Sequence, residues 1–393
     1  MSTASTGSRP RCCRRWADVD PRAGAITDRL GGATGLRWFR APGRVNLLGD
    51  HTDYHDSFVL PMAVDRDCVV AARPREDGRV TVRSVELAGG VDVAADGSDD
   101  PAAVEPAWGR YVAGVVRALG SAGRAPAGLD VVLSSTVPVG SGLSSSAALE
   151  VAIALGLTDA AGLALPAAEL ARSCQGGEHL ATGVPTGLMD QLIALLGRAG
   201  HAVLIDCRTL GAEPIALPNA LAVLVVDSGL PRTLAGSAYA ERRADGERVA
   251  ARLGVTSLRD ASLDLVRDEP RARHVVTENQ RVLEFADALR AGDDARLGSL
   301  LLASHASLRD DYEVSTPELD LAVDLLVEHG AIGARLTGAG FGGCVVGLAR
   351  RADVAAVASR TVGQYRAETG LDAEAFEVRA VDGAGPLTAP VGA

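Results

Sequence analysis

The amino-acid sequence predicts an α+β fold in two domains. Three observations carry that prediction. Apolar, β-branched runs of strand length occur in both halves of the chain, as in Leu129-Asp130-Val131-Val132-Leu133. Helical spacing of apolar residues occurs in both halves as well, without the strict alternation that would signal a wound parallel sheet. The length of 393 residues, set against roughly 150 per domain, gives about two domains.

Taken in order, residues 1–19 are rich in Ser, Thr, Gly and Arg without periodicity, and read as a flexible tail. A polar stretch follows at Gly43 to Asp56. The strand Leu129–Leu133 runs into the turn Pro138-Val139-Gly140-Ser141-Gly142, and Ser144 to Leu157 has helix-forming content with no internal Pro. Ala202–Ile205 and Leu221–Val226 read as strands, Arg271–Ala291 and Glu318–Glu328 as helices. Val345-Val346 opens a buried strand after a glycine cluster, and residues 386–393 read as a second tail. The irregular stretch near Cys207 places the domain boundary there, giving domains at 20–207 and 208–385.

Composition removes several functions. All 39 basic residues are Arg, so Schiff-base chemistry, a lysine general base and a lysine-bearing phosphate loop are excluded. A net charge of -11 repels phosphate backbones, and 3% aromatics leave little for stacking on bases, so no nucleic-acid partner is expected. Six cysteines show no metal-like or disulfide spacing, which fits a reducing cytoplasm. Arg14-Arg15 is not followed by an apolar segment, and Val151–Ala164 is too short to span a bilayer, so neither export nor a membrane is expected.

Four constellations carry chemistry. Gly43-Arg44-Val45-Asn46-Leu47-Leu48-Gly49-Asp50-His51-Thr52-Asp53-Tyr54-His55-Asp56 packs acids, two His and an Arg together. Such density suits a polyhydroxylated ligand, although a solvated loop has the same composition, and His51 with His55 raises metal binding as a rival. In Pro138 to Ser146, glycines let the backbone approach a phosphate, and the helix start aims free N–H groups at it. Glu178-His179 precedes the tight Gly183 to Gln191 segment, where Asp190 sits near a helix start, as a cap or as a carboxylate offered to a hydroxyl. Finally, Thr337-Gly338-Ala339-Gly340-Phe341-Gly342-Gly343-Cys344 concentrates glycine where a tight turn or a close ligand requires it.

In this order, the four pieces resemble the galactokinases of the GHMP small-molecule kinase family, from about Ala41 to Cys344. The resemblance implies an N-terminal domain like the second domain of ribosomal protein S5, a C-terminal ferredoxin-like domain, and an active site between them. It implies ATP-dependent phosphorylation of the anomeric hydroxyl of galactose or a related aldose, by a monomer that uses Mg²⁺. Asp190 would face that hydroxyl, with Arg44 between it and the phosphate. Asp50, His51, Asp53, Gly187 and Tyr239 would contact the sugar. Gly140, Ser141, Gly142, Leu143, Ser144, Ser145 and Ser146 would cradle ATP, with Trp108 near the adenine, and Ser146 and Glu178 would hold the metal. Asp50 stands where the family usually has Glu, His55 and Ser57 replace Asn and Gly, Ala339 replaces Gly, and Pro231 stands where many members have Arg or Lys. Arabinose or N-acetylgalactosamine is therefore an alternative substrate, and a non-catalytic sugar and ATP sensor an alternative role.

Overall fold

The computed structural model describes residues 20–231 and 235–388. The first half of the chain runs α1 (Arg22–Arg29), β1 (Arg37–Asn46), β2 (Phe58–Val59), β3 (Pro61–Arg75), β4 (Arg79–Ser84), β5 (Gly90–Ala94), α2 (Gly109–Ser121), β6 (Gly128–Ser135), α3 (Ser145–Ala160), α4 (Ala167–Thr182), α5 (Met189–Leu196), β7 (His201–Asp206) and β8 (Ala212–Ala216). The second runs β9 (Leu221–Asp227), α6 (Ala235–Leu253), α7 (Pro270–Ala291), α8 (Asp294–Asp310), α9 (Pro317–Glu328), β10 (Gly333–Leu336), β11 (Cys344–Arg350), α10 (Val354–Thr369), β12 (Glu374–Val378) and β13 (Gly385–Leu387). The mixture of strands and helices bears out the α+β expectation.

One sheet has the order β13-β1-β3-β6-β4-β5, antiparallel except where β4 lies parallel to β6. Its central strands β1, β3 and β6 are apolar on both faces because both are covered. Phe39, Val70, Val131 and Leu133 point to the side that packs against α2 and α3. Their alternates Trp38, Val69, Ala71 and Val132 meet Ile26 and Leu30 around α1. The two-residue period of a strand sorts the sequence into these two cores. A second sheet, β10-β11-β9-β12, is antiparallel throughout and carries α9 and α10. Its β-α-β-β-α-β run is the ferredoxin-like arrangement expected of the C-terminal half.

The strand pairings depart from the expected boundaries. Division at 207/208 falls inside the hairpin that joins β7 to β8, whose residues pair from His201↔Ala216 to Ile205↔Ala212. Pro386 and Leu387, expected in a tail, pair with Phe39 and Trp38. Single-strand patterning misses β13, because a three-residue edge strand carries no period, and it misses the β7–β8 hairpin because pairing between strands is not written in either one alone. The expected tail at 1–19, and the twin arginines in it, lie outside the described residues, as do residues 389–393. No helix among the described residues is long and apolar enough to cross a membrane.

Candidate active site

A cleft of about 480 Å³ opens between the end of β1, the turn before α3, the ends of α4 and α5, and the 338–339 turn. Its walls bring together residues from all four sequence motifs. Arg44 lies near the end of β1, just past the bulge between Pro42 and Arg44. Gly43 makes that placement possible, since a β-carbon there would lie 2.6 Å from the Leu143 carbonyl oxygen. Arg44 thereby donates its backbone N–H to Leu143 O at 3.0 Å and buries its guanidinium.

That guanidinium joins two parts of the cleft. Its Nε donates to Asp190 Oδ1 at 2.8 Å and its Nη2 to Asp190 Oδ2 at 2.9 Å, the bidentate geometry an Arg fork favours. Its Nη1 donates to the carbonyl oxygen of Gly142, in the turn before α3. Ser144 donates its hydroxyl to Asp190 as well. Ser144 has φ of 61° and gives α3 no side-chain cap, because its oxygen is turned to Asp190. The first amides of α3 have no carbonyl one turn behind them, and Ser144, Ser145 and Ser146 at this helix start line the cleft. A buried helix start without a cap is a ready anion site.

Deeper, Ser146 Oγ donates to Glu178 Oε1 at 3.0 Å. Thr186 Oγ1 donates to the other oxygen at 2.8 Å, and Gln191 Nε2 reaches it at 3.1 Å while also donating to Glu150 Oε2 at 2.9 Å. Burial pushes the Glu178 carboxyl upward, and the Asp190 charge adds to it. Glu150, wholly enclosed, is pushed well above the carboxylate range by burial and then by Glu178. Hydroxyl and carboxylate oxygens at Ser146 and Glu178 are hard donors of the kind a small divalent cation takes.

At the other end, Asp53 sits behind Gly187. It accepts N–H bonds from Tyr54 at 3.0 Å and Met189 at 3.4 Å, and burial together with the Asp190 charge raises it to about 6. Gly187 donates its N–H to the Tyr239 hydroxyl at 3.4 Å, which brings α6 to the cleft. Burial lowers His51 to about 3, with the neighbouring His274 adding to the effect, so the ring is neutral and has one N–H. Nε2 gives it to the Ala339 carbonyl at 3.1 Å, and Nδ1 therefore accepts from the Tyr54 hydroxyl at 2.8 Å. With both ring nitrogens engaged, the His51–His55 metal reading has no ligand pair. No group of three or more His, Cys, Asp or Glu side chains among the described residues forms a metal cage.

Most of the expected residues line this cleft: Arg44, Asp50, His51, Asp53, Trp108, Gly140, Gly142, Ser144, Ser145, Ser146, Glu178, Gly187, Asp190 and Tyr239. Two of the expected residues do not. Leu143 turns its side chain into the core, and Ser141 donates its hydroxyl to the Pro138 carbonyl at 3.0 Å. Asp50 is engaged by the protein itself, pairing with the wholly buried Arg335 and accepting from Asn46 Nδ2 at 3.0 Å and Gly338 N at 3.2 Å. Tyr111, Thr186 and Ala339 also line the cleft and went unassigned from sequence. Thr186 lies within the quoted segment before Asp190, and Ala339 within the glycine cluster, so motif membership was their signal.

Family models match residues 28–74 as the galactokinase galactose-binding signature, 110–198 as the GHMP kinases N terminal domain and 285–365 as the GHMP kinases C terminal domain. A galactokinase of Roseiflexus sp. (strain RS-1) is 47% identical over 361 residues, covering 88% of this chain and 92% of that protein. The crystal structure of Lactococcus lactis galactokinase complexed with galactose superposes with a TM-score of 0.86 at 33% identity, over 92% of this chain and 99% of the other. Methanococcus jannaschii mevalonate kinase shares the fold at 18% identity, with a TM-score of 0.64 over 88% of this chain and 98% of its own. On sequence, fold and the residues gathered in the cleft, the chain belongs to the galactokinase family of the GHMP kinases.

Proposed function

We propose that the cleft transfers the terminal phosphoryl group of ATP to the anomeric hydroxyl of galactose, with Asp190 and Arg44 at the reacting atoms. The chain is an ATP-dependent sugar kinase, and the division of its cleft supports these roles. The observation that carries the reading is the position of Arg44, which holds Asp190 on one side and the Gly142 turn on the other. A sugar resting near Asp53, Gly187 and Tyr239 brings a hydroxyl to Asp190. Phosphates resting on the α3 start bring their terminal group to the same guanidinium. Phosphoryl transfer demands alignment and charge stabilisation more than covalent chemistry, and this arrangement supplies both.

Asp190 accepts the hydroxyl proton as the oxygen attacks, and the Arg44 fork keeps the carboxylate aimed during that step. Ser144 holds the same carboxylate from the phosphate side. Amides at the start of α3 and the Arg44 charge meet the negative charge that develops on the transferring group. Trp108, at the cleft rim with its Nε1 donating to Ala88 O at 3.4 Å, offers an apolar face to the adenine.

Mg²⁺ fits the Ser146 and Glu178 pair. Burial disfavours an ionised Glu178, so a cation there relieves a cost that the protein alone leaves standing. With two protein oxygens available, phosphate and water would complete the shell, which is how Mg²⁺ is ordinarily held. When bound, the ion neutralises phosphate charge.

The test is ADP release with ATP and Mg²⁺ across galactose, arabinose, glucose and N-acetylgalactosamine. Galactose is expected to give the highest kcat/KM. A higher value for another aldose would reassign the substrate, and sugar binding without ADP release would indicate a sensor.

A further inference from the structure

We propose that α7, which does not reach the cleft, is the positioning element of the sugar-binding turn, acting through Glu278 and His274. The proposal rests on the sugar site assigned above and names what holds it in shape.

The turn at Gly49-Asp50-His51 is conformationally expensive. Gly49 has φ of 98° and His51 of 62°, and a left-handed residue bearing a side chain persists only where its surroundings fix it. The side chains of Asp50 and His51 form part of the cleft wall, so any relaxation of this turn moves the wall. Thr52 Oγ1 donates to the Gly49 carbonyl at 2.8 Å from within the loop, and two further bonds to this backbone come from α7. Glu278 Oε1 accepts the Gly49 N–H at 3.0 Å, and His274 Nε2 stands 3.1 Å from the Asp50 carbonyl. A carbonyl accepts only, so the ring donates there, and its Nδ1 meets Ser307 Oγ at 3.0 Å. One residue further along the helix, Asn279 Oδ1 accepts the Phe58 N–H at 2.8 Å and ties down the far arm of the loop.

The i, i+4 spacing places His274 and Glu278 on one helix face, where they meet the 50–51 and 48–49 peptide units of the turn. Glu278 is itself held rigidly. It is fully buried, Ser304 Oγ donates to Oε1 at 2.6 Å and Arg281 Nε to Oε2 at 2.7 Å. Burial alone would push this carboxyl upward, but Arg281, Arg335 and His274 outweigh it and hold it at about 2. It is therefore a fixed negative acceptor aimed at an amide. Neither residue lines the cleft, and the ATP turn at 138–146 has no contact with them among the hydrogen bonds described, so the effect falls on the sugar side.

Steady-state kinetics on the full chain test this with three variants. Glu278→Met removes the acceptor and keeps the bulk. Its KM for galactose should rise about tenfold, the size expected on losing one hydrogen bond to a charged group, with KM for ATP within about twofold. Glu278→Gln keeps an oxygen for the Gly49 amide and should recover most of that loss. Ser304→Ala, a mild change that folds if the others do not, should raise the galactose KM by about threefold. Galactose should also raise the melting temperature of Glu278→Met less than that of the parent, while ATP raises both equally. Both KM values rising together, or neither moving, would overturn the positioning role. A parent protein that releases no ADP with galactose would instead sink the functional reading on which the role rests.

Discussion

The carboxylate of Asp53 occupies the space that a β-carbon on Gly187 would need. The two residues come from distant motifs, and their packing shapes the part of the cleft proposed to take the sugar. Gly187→Ala must displace Asp53 or the backbone before Met189 and Asp190. A shift of about 1 Å at a reacting centre costs on the order of 10²-fold, so kcat/KM for galactose should fall by about that much. KM for ATP should stay within about twofold, and initial rates against each substrate separate the two.

Asp190→Asn retains the shape of the side chain and removes its charge. Turnover should fall by about 10²–10⁴-fold, the range for a lost general base. Calorimetry should still detect galactose binding, since the contact matters most in the transition state. Near-normal ADP release would remove Asp190 from the chemistry.

Ser146→Ala and Glu178→Gln each take one oxygen donor from the proposed metal position. The Mg²⁺ concentration for half-maximal rate should rise by about tenfold or more, the equivalent of one charge-assisted contact. The ranking of sugars should not change, because neither side chain is placed on the sugar side.

Asp53 gives the rate a pH signature. Its carboxyl is raised to about 6 by burial and by Asp190, so it is ionised above that value and protonated below it. A pH series of kcat/KM for galactose should therefore fall on the acid side with a midpoint near 6, and Asp53→Asn should lose that inflection. The sign for stability is opposite. The folded state holds the proton between the ordinary 3.8 and about 6, so this group costs stability as pH rises through that window.

Asp50→Glu adds a methylene between two buried partners. Pressed against Arg335, it should lower stability by about 1–3 kcal/mol, as overpacking does, visible as a lower melting temperature. Relief of that pressure turns the longer carboxylate toward the cleft, and relative kcat/KM across the aldose panel should shift toward galactose. Identical sugar rankings would show that Asp50 does not set specificity.

What the sequence disclosed follows from range. Glycine turns and short polar clusters are local, and Gly140, Gly142, Asp190 and the 338–343 cluster announce themselves within a few residues. Helices α7 and α9 likewise lie where apolar spacing predicts them. Partnerships between distant segments leave no such mark. Nothing near Asp50 indicates that its partner is Arg335, and nothing near Gly49 indicates Glu278, which is 229 residues away along the chain. The same holds for Leu143 and Ser141, which a motif places in the phosphate turn but whose side chains packing and a local hydroxyl bond draw elsewhere.

The pairing of Gly385–Leu387 with β1 bears on how the molecule is made. Strand β1 carries Arg44 near its end, and one of its edges is completed by the last described strand to leave the ribosome. Until then that edge presents open N–H and C=O groups, which are a template for pairing with another chain. The first sheet can collapse on its own helices during synthesis, but this edge stays open until residues 385–387 have emerged. Edge-to-edge association is therefore open to the growing chain from the time β1 has formed until β13 arrives, and a chaperone that shields that edge acts in this interval.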